Sequence, residues 1–208
     1  AIHDTYNRCV TIHGTDNLLV ENNVTYNTVG HCFFMEDGIE TGNQVVRNLG
    51  IQTKCHPTLP CEPSNLAPGR PVQNGQSSEH VLLPSDNTAS TFWITNPDNI
   101  YRDNVAAGSD EVGFWFALPV HPIGAFEGTE LSANTWPRQT RVREFSGNTA
   151  HSNFDGFMFD RGPAPDNTFS VGGSNYHISY ADPTDTSSEM LVSLFEDFTS
   201  YKNRHGGV

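Results

Sequence analysis

One short pattern recurs along this chain and constrains its fold more than any other feature. A glycine opens a run of large apolar residues, and the run stops abruptly. Copies lie at residues 30–38, 113–119 and 156–162, with an earlier relative at 9–14. A single coil of a solenoid cannot bury its own apolar face, so repeats of this kind must stack on one another. The repeat therefore predicts a solenoid.

The spacing of the repeats predicts a parallel β-helix. The β-prone runs are short and are separated by Gly, Asn and Asp, which favour turns. Successive coils align at about 24 residues, which matches one turn of a parallel β-helix. This alignment places residues 12–14 over 36–38 and residues 22–24 over 47–49. An Asn recurs at the aligned turns, which predicts side-chain amide ladders between coils.

Three long excursions interrupt the predicted coils, at about residues 55–91, 119–141 and 163–189. The last two follow the repeated apolar run directly, so both should emerge from one corner. Residues 189–202 have the pattern of an amphipathic helix or a strand, and we favour a strand because residues 198–203 fit the repeat. We expect residues 1–208 to be one β-helix segment, stacked on flanking coils of the same longer polypeptide.

The composition limits the classes of ligand. The chain has 208 residues, 36% of them apolar, which is enough for one folded core. Its 24 acidic and 11 basic residues give a formal charge of -13. This balance argues against nucleic acid and anionic membrane surfaces as partners. No stretch approaches the length of a transmembrane helix, so we expect no direct membrane insertion in this segment.

The four cysteines lie as two pairs, and a disulfide is plausible for each pair if the protein is secreted. Cys55 and Cys61 bracket a short loop with two prolines, and a disulfide is expected to close it. Cys9 and Cys32 are about one coil apart, and they form either a second disulfide or two buried free thiols. Paired CxxC spacing is absent, which argues against a structural zinc site.

Superimposing the repeats brings charged residues into columns. One column contains Ile12, Glu36, Ala117 and Asp160, and the next contains His13, Asp37, Leu118 and Arg161. Stacked strands lie about 4.8 Å apart, so equivalent side chains on adjacent coils can touch. The polar members of both columns are therefore expected to meet at one corner.

Two chemistries fit such a corner. Paired carboxylates beside a His or Arg can supply the acid and base of glycosidic cleavage. On this hypothesis the catalytic residues are Glu36, Asp37, Asp160, Arg161 and His13. Oxygen atoms of Glu36, Asp37 and Asp160 could instead hold calcium. The alternative is that Asp37 and Asp160 are turn residues that accept backbone N–H bonds, with Arg161 in a surface ion pair.

Other residues extend the hypothesis. Glu40 and Lys54 are either part of the corner or ordinary solvated charges, and His31 is expected to be structural. The excursions supply aromatic and cationic side chains that would bind a sugar chain or pack as lids: Trp136, Arg138, Arg141, Tyr176 and Tyr180. Asn23 begins an N-glycosylation acceptor motif, Asn-Val-Thr, close to a predicted strand.

The coil segments also carry a family resemblance. Residues 9–15, 19–24, 30–42 and 92–97 resemble the family of cell-migration-inducing, hyaluronan-binding proteins and cell-surface hyaluronidases, and the related ectodomains of fibrocystin-like proteins. The resemblance covers most of 1–54 and 91–162. It implies a right-handed parallel β-helix in a secreted or cell-surface protein. For the hyaluronidase branch it implies calcium-dependent depolymerisation of hyaluronan.

Two functional hypotheses follow. In the first, the chain binds a polysaccharide along the side of the β-helix and cleaves it at the charged corner. In the second, it is a structural or adhesive section of a large extracellular protein, and the corner only stabilises turns. The fold alone does not decide between them, because β-helices serve as lyases, hydrolases and scaffolds.

Overall fold

The computed structural model describes residues 1–55, 89–159 and 176–207. In chain order the strands are β1 (Ile2–His3), β2 (Val10–Ile12), β3 (Leu19–Glu21), β4 (Val24–Val29), β5 (His31–Met35), β6 (Gln44–Val46), β7 (Leu49–Lys54), β8 (Ser90–Ile94), β9 (Ile100–Arg102), β10 (Val105–Ala107), β11 (Val112–Phe116), β12 (Glu144–Ser146), β13 (Thr149–His151), β14 (Asp155–Met158), β15 (Ser179–Tyr180), β16 (Met190–Leu191) and β17 (Thr199–Tyr201).

The strands form three parallel sheets that wind as coils, so the fold is the predicted parallel β-helix. Sheet A has the order β1-β4-β7-β10-β13-β17, sheet B has β14-β11-β8-β5-β2, and sheet C has β12-β9-β6-β3. Each complete coil passes from B to C to A and then steps to the next coil. The fourth sheet is a small antiparallel pair of β15 and β16.

Apolar side chains fill the interior because every second residue of each strand points inward. The rings of Phe33, Phe92 and Phe114 stack on consecutive coils, with centroids 4.8 and 4.6 Å apart. The Cys9–Cys32 disulfide joins the first two coils, which decides between the two alternatives left open for that pair. Cys55 is also disulfide-bonded, and its expected partner Cys61 lies outside the described residues.

The predicted amide ladder is present at the turn between sheets C and A. The side-chain Nδ2 of Asn23 donates to Asn48 Oδ1, Asn48 to Asn104, and Asn104 to Asn148, at 3.0 to 3.1 Å. Each Oδ1 also accepts the backbone N–H of the preceding Asn in the column at 3.0 Å. The residue before the Asn adopts positive φ, at Asn22, Arg47, Asp103 and Gly147. This geometry holds the coils in register.

The second excursion leaves sheet B after β11 and contains one short α-helix, α1 (Glu130–Ala133), and two 3-10 helices, Gly124–Phe126 and Pro137–Gln139. Residues 189–202 contain strands and no helix, as expected. Residues 56–88, which hold most of the first excursion, and residues 160–175, which hold the first part of the third, lie outside the described residues. Among the described residues, no helix has the length and apolar character needed to span a membrane.

One expectation about register was wrong. Ile12 pairs with Met35, one residue earlier than the alignment placed it. Within sheets C and A the paired residues are further apart in sequence, since Leu19 pairs with Gln44 and Val24 pairs with Leu49. The predicted alignment of residues 22–24 with 47–49 is therefore confirmed. The turn after β5 is two residues longer than the turn after β2, so no single period aligns both parts of the coil.

Candidate functional site

The charged corner forms where two neighbouring strands of sheet B end. β2 ends at Ile12 and β5 ends at Met35, and these two residues are paired. His13 therefore leaves the sheet beside Glu36 and Asp37. The sequence correctly brought these three residues together, although it paired His13 with Asp37 instead of with Glu36.

His13 stands between the two carboxylates. Its Nδ1 lies 3.1 Å from Glu36 Oε2 and 3.3 Å from Asp37 Oδ2. The side chains differ in exposure: His13 is 48% exposed, Glu36 is 28% exposed and Asp37 is 2% exposed. The imidazole thus connects a buried carboxyl group to the solvent.

Glu40 is fully buried at the corner, which excludes the alternative that it is an ordinary solvated charge. Its Oε1 accepts the backbone N–H of Gly14 at 3.0 Å and its Oε2 accepts that of Gly38 at 2.9 Å. The N–H of Asp37 lies 3.5 Å from Oε1. These donors compensate the buried charge. The two glycines that donate to this carboxylate were the only feature of the sequence that pointed to its burial.

The second excursion folds over the corner. Ile123 donates its N–H to the Asp37 carbonyl at 2.9 Å, and the N–H of Ala125 bonds to the Asp37 carboxylate. A Cβ atom at Gly124 would come within 2.0 Å of Asp37 Oδ1. Phe126 completes the cover, with its ring centroid 6.2 Å from that of His13. Asp37 is therefore enclosed by the excursion while His13 remains accessible.

This enclosure changes the acidity of Asp37. Burial is the largest cause, and with the negative charge of Glu40 and of Glu36 it raises the pKa of Asp37 from 3.8 to about 6. His13 and the Ala125 N–H act in the opposite direction. Asp37 Oδ2 is buried and makes no hydrogen bond of good geometry, although His13 Nδ1 is 3.3 Å away. The corner thus holds a carboxyl group whose pKa is raised to about 6.

Single ligand atoms of His13, Asp37 and Glu40 lie within 4.8 Å of one another. The Glu40 oxygens already accept backbone N–H groups, and Asp37 Oδ2 is the buried oxygen without a donor. Calcium takes six to eight oxygen ligands. The described residues offer the carboxylates of Glu36 and Asp37 with a His nitrogen between them, which by themselves make an incomplete calcium site.

Asp160 and Arg161 lie outside the described residues, so their predicted place at the corner is not observed. Strand β14 ends at Met158, two residues before Asp160, and it is three strands away from β5 in sheet B. At about 4.8 Å per strand this separation is about 14 Å. The column alignment had omitted the coil of β8, so it placed one coil instead of two between Glu36 and Asp160.

The other predicted ligand-binding residues lie on the excursions. Trp136 packs on His121 with centroids 4.1 Å apart, and Arg138 donates from Nε to the Leu118 carbonyl at 2.8 Å. Tyr176 stacks on Phe159 at 5.0 Å, and its hydroxyl donates to the Thr140 carbonyl at 3.0 Å. These three side chains have structural contacts.

The remaining predicted residues lie outside the corner of His13, Glu36 and Asp37. Arg141 is exposed. His31 is buried and lies 2.7 Å from Ser90 Oγ, as expected of a structural His. Lys54 donates to Asn27 Oδ1 at 2.6 Å. Asn23 engages its Nδ2 in the amide ladder, and Thr25 of its acceptor motif is fully buried, so sugar attachment at Asn23 would disrupt the ladder.

Fold and corner together define an all-β protein of the parallel β-helix class with an acidic corner beneath an excursion. The family model described as CEMIP beta-helix matches residues 1–158, and the chain belongs to this family. The predicted family resemblance is thereby confirmed.

Three relatives illustrate the range of the family. The chain is 32% identical over its whole length to the human protein named Cell surface hyaluronidase CEMIP2, of which it spans 16%. It is also 32% identical over its whole length to the mouse Cell migration-inducing and hyaluronan-binding protein, again spanning 16%. Mouse Fibrocystin-L is 39% identical over 73% of the chain, which covers 3% of that protein.

Proposed function

We propose that this chain is an extracellular glycan-binding β-helix that cleaves hyaluronan or a similar polysaccharide at the corner of His13, Glu36 and Asp37. The observation that carries the proposal is the buried Asp37 carboxyl group, with its pKa raised to about 6, beside an exposed His and a second carboxylate. Perturbed acids of this kind concentrate at functional sites. The relatives named as hyaluronidase and as hyaluronan-binding proteins support the substrate class.

Cleavage of a glycosidic bond needs a proton for the leaving oxygen and a base for the attacking water. Asp37 supplies the proton, and His13 passes it to the glycan because Asp37 itself is enclosed. The Nδ1 side of the ring faces the two carboxylates, which leaves Nε2 for the substrate. Glu36 takes the proton of the water that adds to the anomeric carbon as the C–O bond breaks.

Asp160 and Arg161 belong to the original hypothesis as an additional acid and a cation for the substrate. A calcium ion at Glu36 and Asp37 also remains part of the proposal, and Asp160 is left out of its ligand set because β14, the strand before it, lies three strands from β5. Neither is needed for the proton transfers above, because His13, Glu36 and Asp37 supply them. Chelation of calcium tests the metal separately.

The proposed location is secreted or cell-surface, in agreement with relatives named as cell surface proteins. The Cys9–Cys32 disulfide fits an oxidising compartment. The proposed partners are a polysaccharide and flanking coils of the same polypeptide. The chain covers 16% of the hyaluronidase relative, so these partners are proposed for the segment and its parent protein together.

The test is the size distribution of hyaluronan after incubation with the intact protein, with and without calcium. Asp37→Asn and Glu36→Gln each remove one carboxyl group of the corner, and Glu127→Gln serves as the matched control on the exposed excursion surface. We expect the unsubstituted protein and the control variant to shorten the polymer, and both corner variants to leave it intact. Uncut hyaluronan with the folded parent protein would exclude hyaluronidase activity.

A structural role is the second candidate. The Glu40 carboxylate accepts N–H groups from turns on two coils, which is the pattern expected of a purely stabilising corner. The similarity to Fibrocystin-L also fits an adhesive or scaffold section. In that case the corner variants would change the stability of the protein while no glycan is cut by any form.

A further inference from the structure

A second concave surface lies between the second excursion and the β15–β16 pair. It is a cavity of about 570 Å³. Its principal lining residues are Asp98, Arg141, Arg143, Tyr180, Pro183 and Leu191. The wall therefore combines an aromatic ring and apolar atoms with two guanidinium groups, which suits a sugar ring that carries a charge.

The charges in this cavity do not cancel. Arg143 binds Asp98 through two hydrogen bonds, from Nε to Oδ1 at 2.8 Å and from Nη2 to Oδ2 at 3.1 Å. Within residues 1–55, 89–159 and 176–207, Arg141 makes no ion pair or side-chain hydrogen bond. One unit of positive charge is thus available, in a chain whose formal charge is -13.

The walls of the cavity are held by hydrogen bonds. His177 donates its N–H to the Arg138 carbonyl at 2.9 Å, which fixes the approach to β15 against the 3-10 helix Pro137–Gln139. Ala181 donates to the Glu189 carbonyl at 2.8 Å, which closes the pair of β15 and β16. A preformed cavity of this kind loses little freedom when a ligand binds.

The cavity is connected to the corner through one turn. Asn96 Nδ2 donates to the Gly38 carbonyl at 2.8 Å, next to Asp37, and Asn96 Oδ1 accepts the N–H of Asp98 at 2.9 Å. Asp98 then binds Arg143 in the cavity wall. The corner and the cavity are thus both built on turns between sheets B and C, on one edge of the β-helix.

We propose that this cavity is a subsite for the carboxylate of a uronic acid residue, with Arg141 as its cation and Tyr180 as the surface for the sugar ring. A guanidinium group matches a carboxylate through two parallel hydrogen bonds. The proposal rests on the proposed function and deepens it, because the subsite selects acidic polysaccharides and holds them near the corner.

The experiment measures binding of a hyaluronan decasaccharide and of the same decasaccharide with its carboxyl groups reduced to alcohols. Arg141→Gln is compared with the intact protein, with Arg141→Lys, and with Lys202→Gln, which removes an exposed charge outside the cavity. We expect Arg141→Gln to weaken binding of the native sugar roughly tenfold, the loss expected for a hydrogen bond to a charged group. The Lys variant should be intermediate, and the control unchanged.

The reduced sugar provides the specific readout, since its affinity should be the same for the intact protein and for Arg141→Gln. Equal affinity of both forms for the native sugar overturns the subsite. If the protein cleaves hyaluronan but Arg141→Gln binds it as tightly as the intact protein does, the subsite is overturned and the proposed enzyme function stands. Arg141-dependent binding without cleavage supports the subsite and excludes the enzyme function. Absence of binding to either sugar overturns both.

Discussion

The buried carboxylate of Glu40 accepts the backbone N–H of Gly14 at 3.0 Å, across 26 residues of sequence. Its other oxygen accepts the N–H of Gly38 in the next coil. One side chain thus ties together the two turns that present His13 and Asp37. The geometry of the candidate site depends on a residue that need not touch a substrate.

Replacing this residue should loosen the corner. Glu40→Gln keeps the size of the side chain but replaces one accepting oxygen with an N–H donor that faces other N–H groups. We expect a loss of about 1–3 kcal/mol in the free energy of unfolding, as for a buried polar group without its partner. Urea unfolding measures the loss. The exposed Glu127→Gln is the control, and an equal effect of both substitutions would contradict the structural role of Glu40.

The stability should depend on pH through Asp37. Burial is the main cause that raises its pKa to about 6 in the folded protein, from 3.8 for an unperturbed aspartate side chain. The folded state therefore binds the proton more tightly, and the contribution of Asp37 to stability is complete below pH 4 and is lost as the pH rises through 6. Relative to the parent, Asp37→Asn should become more stable by about 1–2 kcal/mol between pH 4 and pH 7, allowing for solvent screening.

Urea unfolding of both proteins at pH 4 and pH 7 gives this difference directly. Asp182→Asn is a useful comparison, because hydrogen bonds from Thr184 lower the pKa of that exposed carboxyl group. Its substitution should not reproduce the trend between pH 4 and pH 7. A constant difference between Asp37→Asn and the parent at both pH values would show that Asp37 does not titrate in this range.

The contact between the excursion and the corner can be tested with a pair of glycines. Gly124 and Gly128 both have positive φ, at 63° and 74°. A Cβ at Gly124 would meet Asp37 Oδ1 at 2.0 Å, whereas a Cβ at Gly128 would meet nothing within 4 Å. We expect Gly124→Ala to lower the free energy of unfolding by about 1–3 kcal/mol more than Gly128→Ala, the usual cost of overpacking.

The backbone cost of Ala at positive φ is common to both glycine variants, so their difference isolates the contact with Asp37. Thermal or urea unfolding of the two proteins gives the comparison. Equal stability would mean that the excursion does not enclose Asp37 in solution.

The disulfide between Cys9 and Cys32 should contribute to the stability of the first two coils. It closes a loop with a sequence separation of 23 residues. The double variant Cys9→Ser, Cys32→Ser is expected to lose about 3 kcal/mol, from the entropy that the cross-link removes from the unfolded chain. Urea unfolding under non-reducing conditions measures this loss, and unchanged stability would show that the bond is not formed in the folded protein.

The coils were predictable from the sequence because a β-helix requires the same apolar run on every turn. The Asn ladder was predictable for the same reason, since Asn48 and Asn104 recur at turns of fixed length. Local repetition therefore determined the architecture and placed His13, Glu36 and Asp37 at one corner.

The rest of the corner depended on turns of unequal length. The turn between β5 and β6 is longer than the turn between β2 and β3, and a constant period could not place Ile12 correctly. Glu40 lies two residues after a glycine in a short turn and had the pattern of a solvated charge, because its contact with Gly14 on the adjacent coil cannot be read from the local sequence. The cavity of Arg141 required segments that the sequence only marked as excursions.

The turn between sheets C and A has a constant length in the described coils, two residues at 22–23, 47–48, 103–104 and 147–148. The turns between sheets B and C range from a few residues to a whole folded excursion. The amide ladder requires a turn of constant length between sheets C and A. The turns between sheets B and C already differ in length among the described coils, so they can lengthen without disturbing the stack of coils. New binding specificities can therefore arise by replacement of loops between sheets B and C, while the amide ladder preserves the register of the coils that carry these loops.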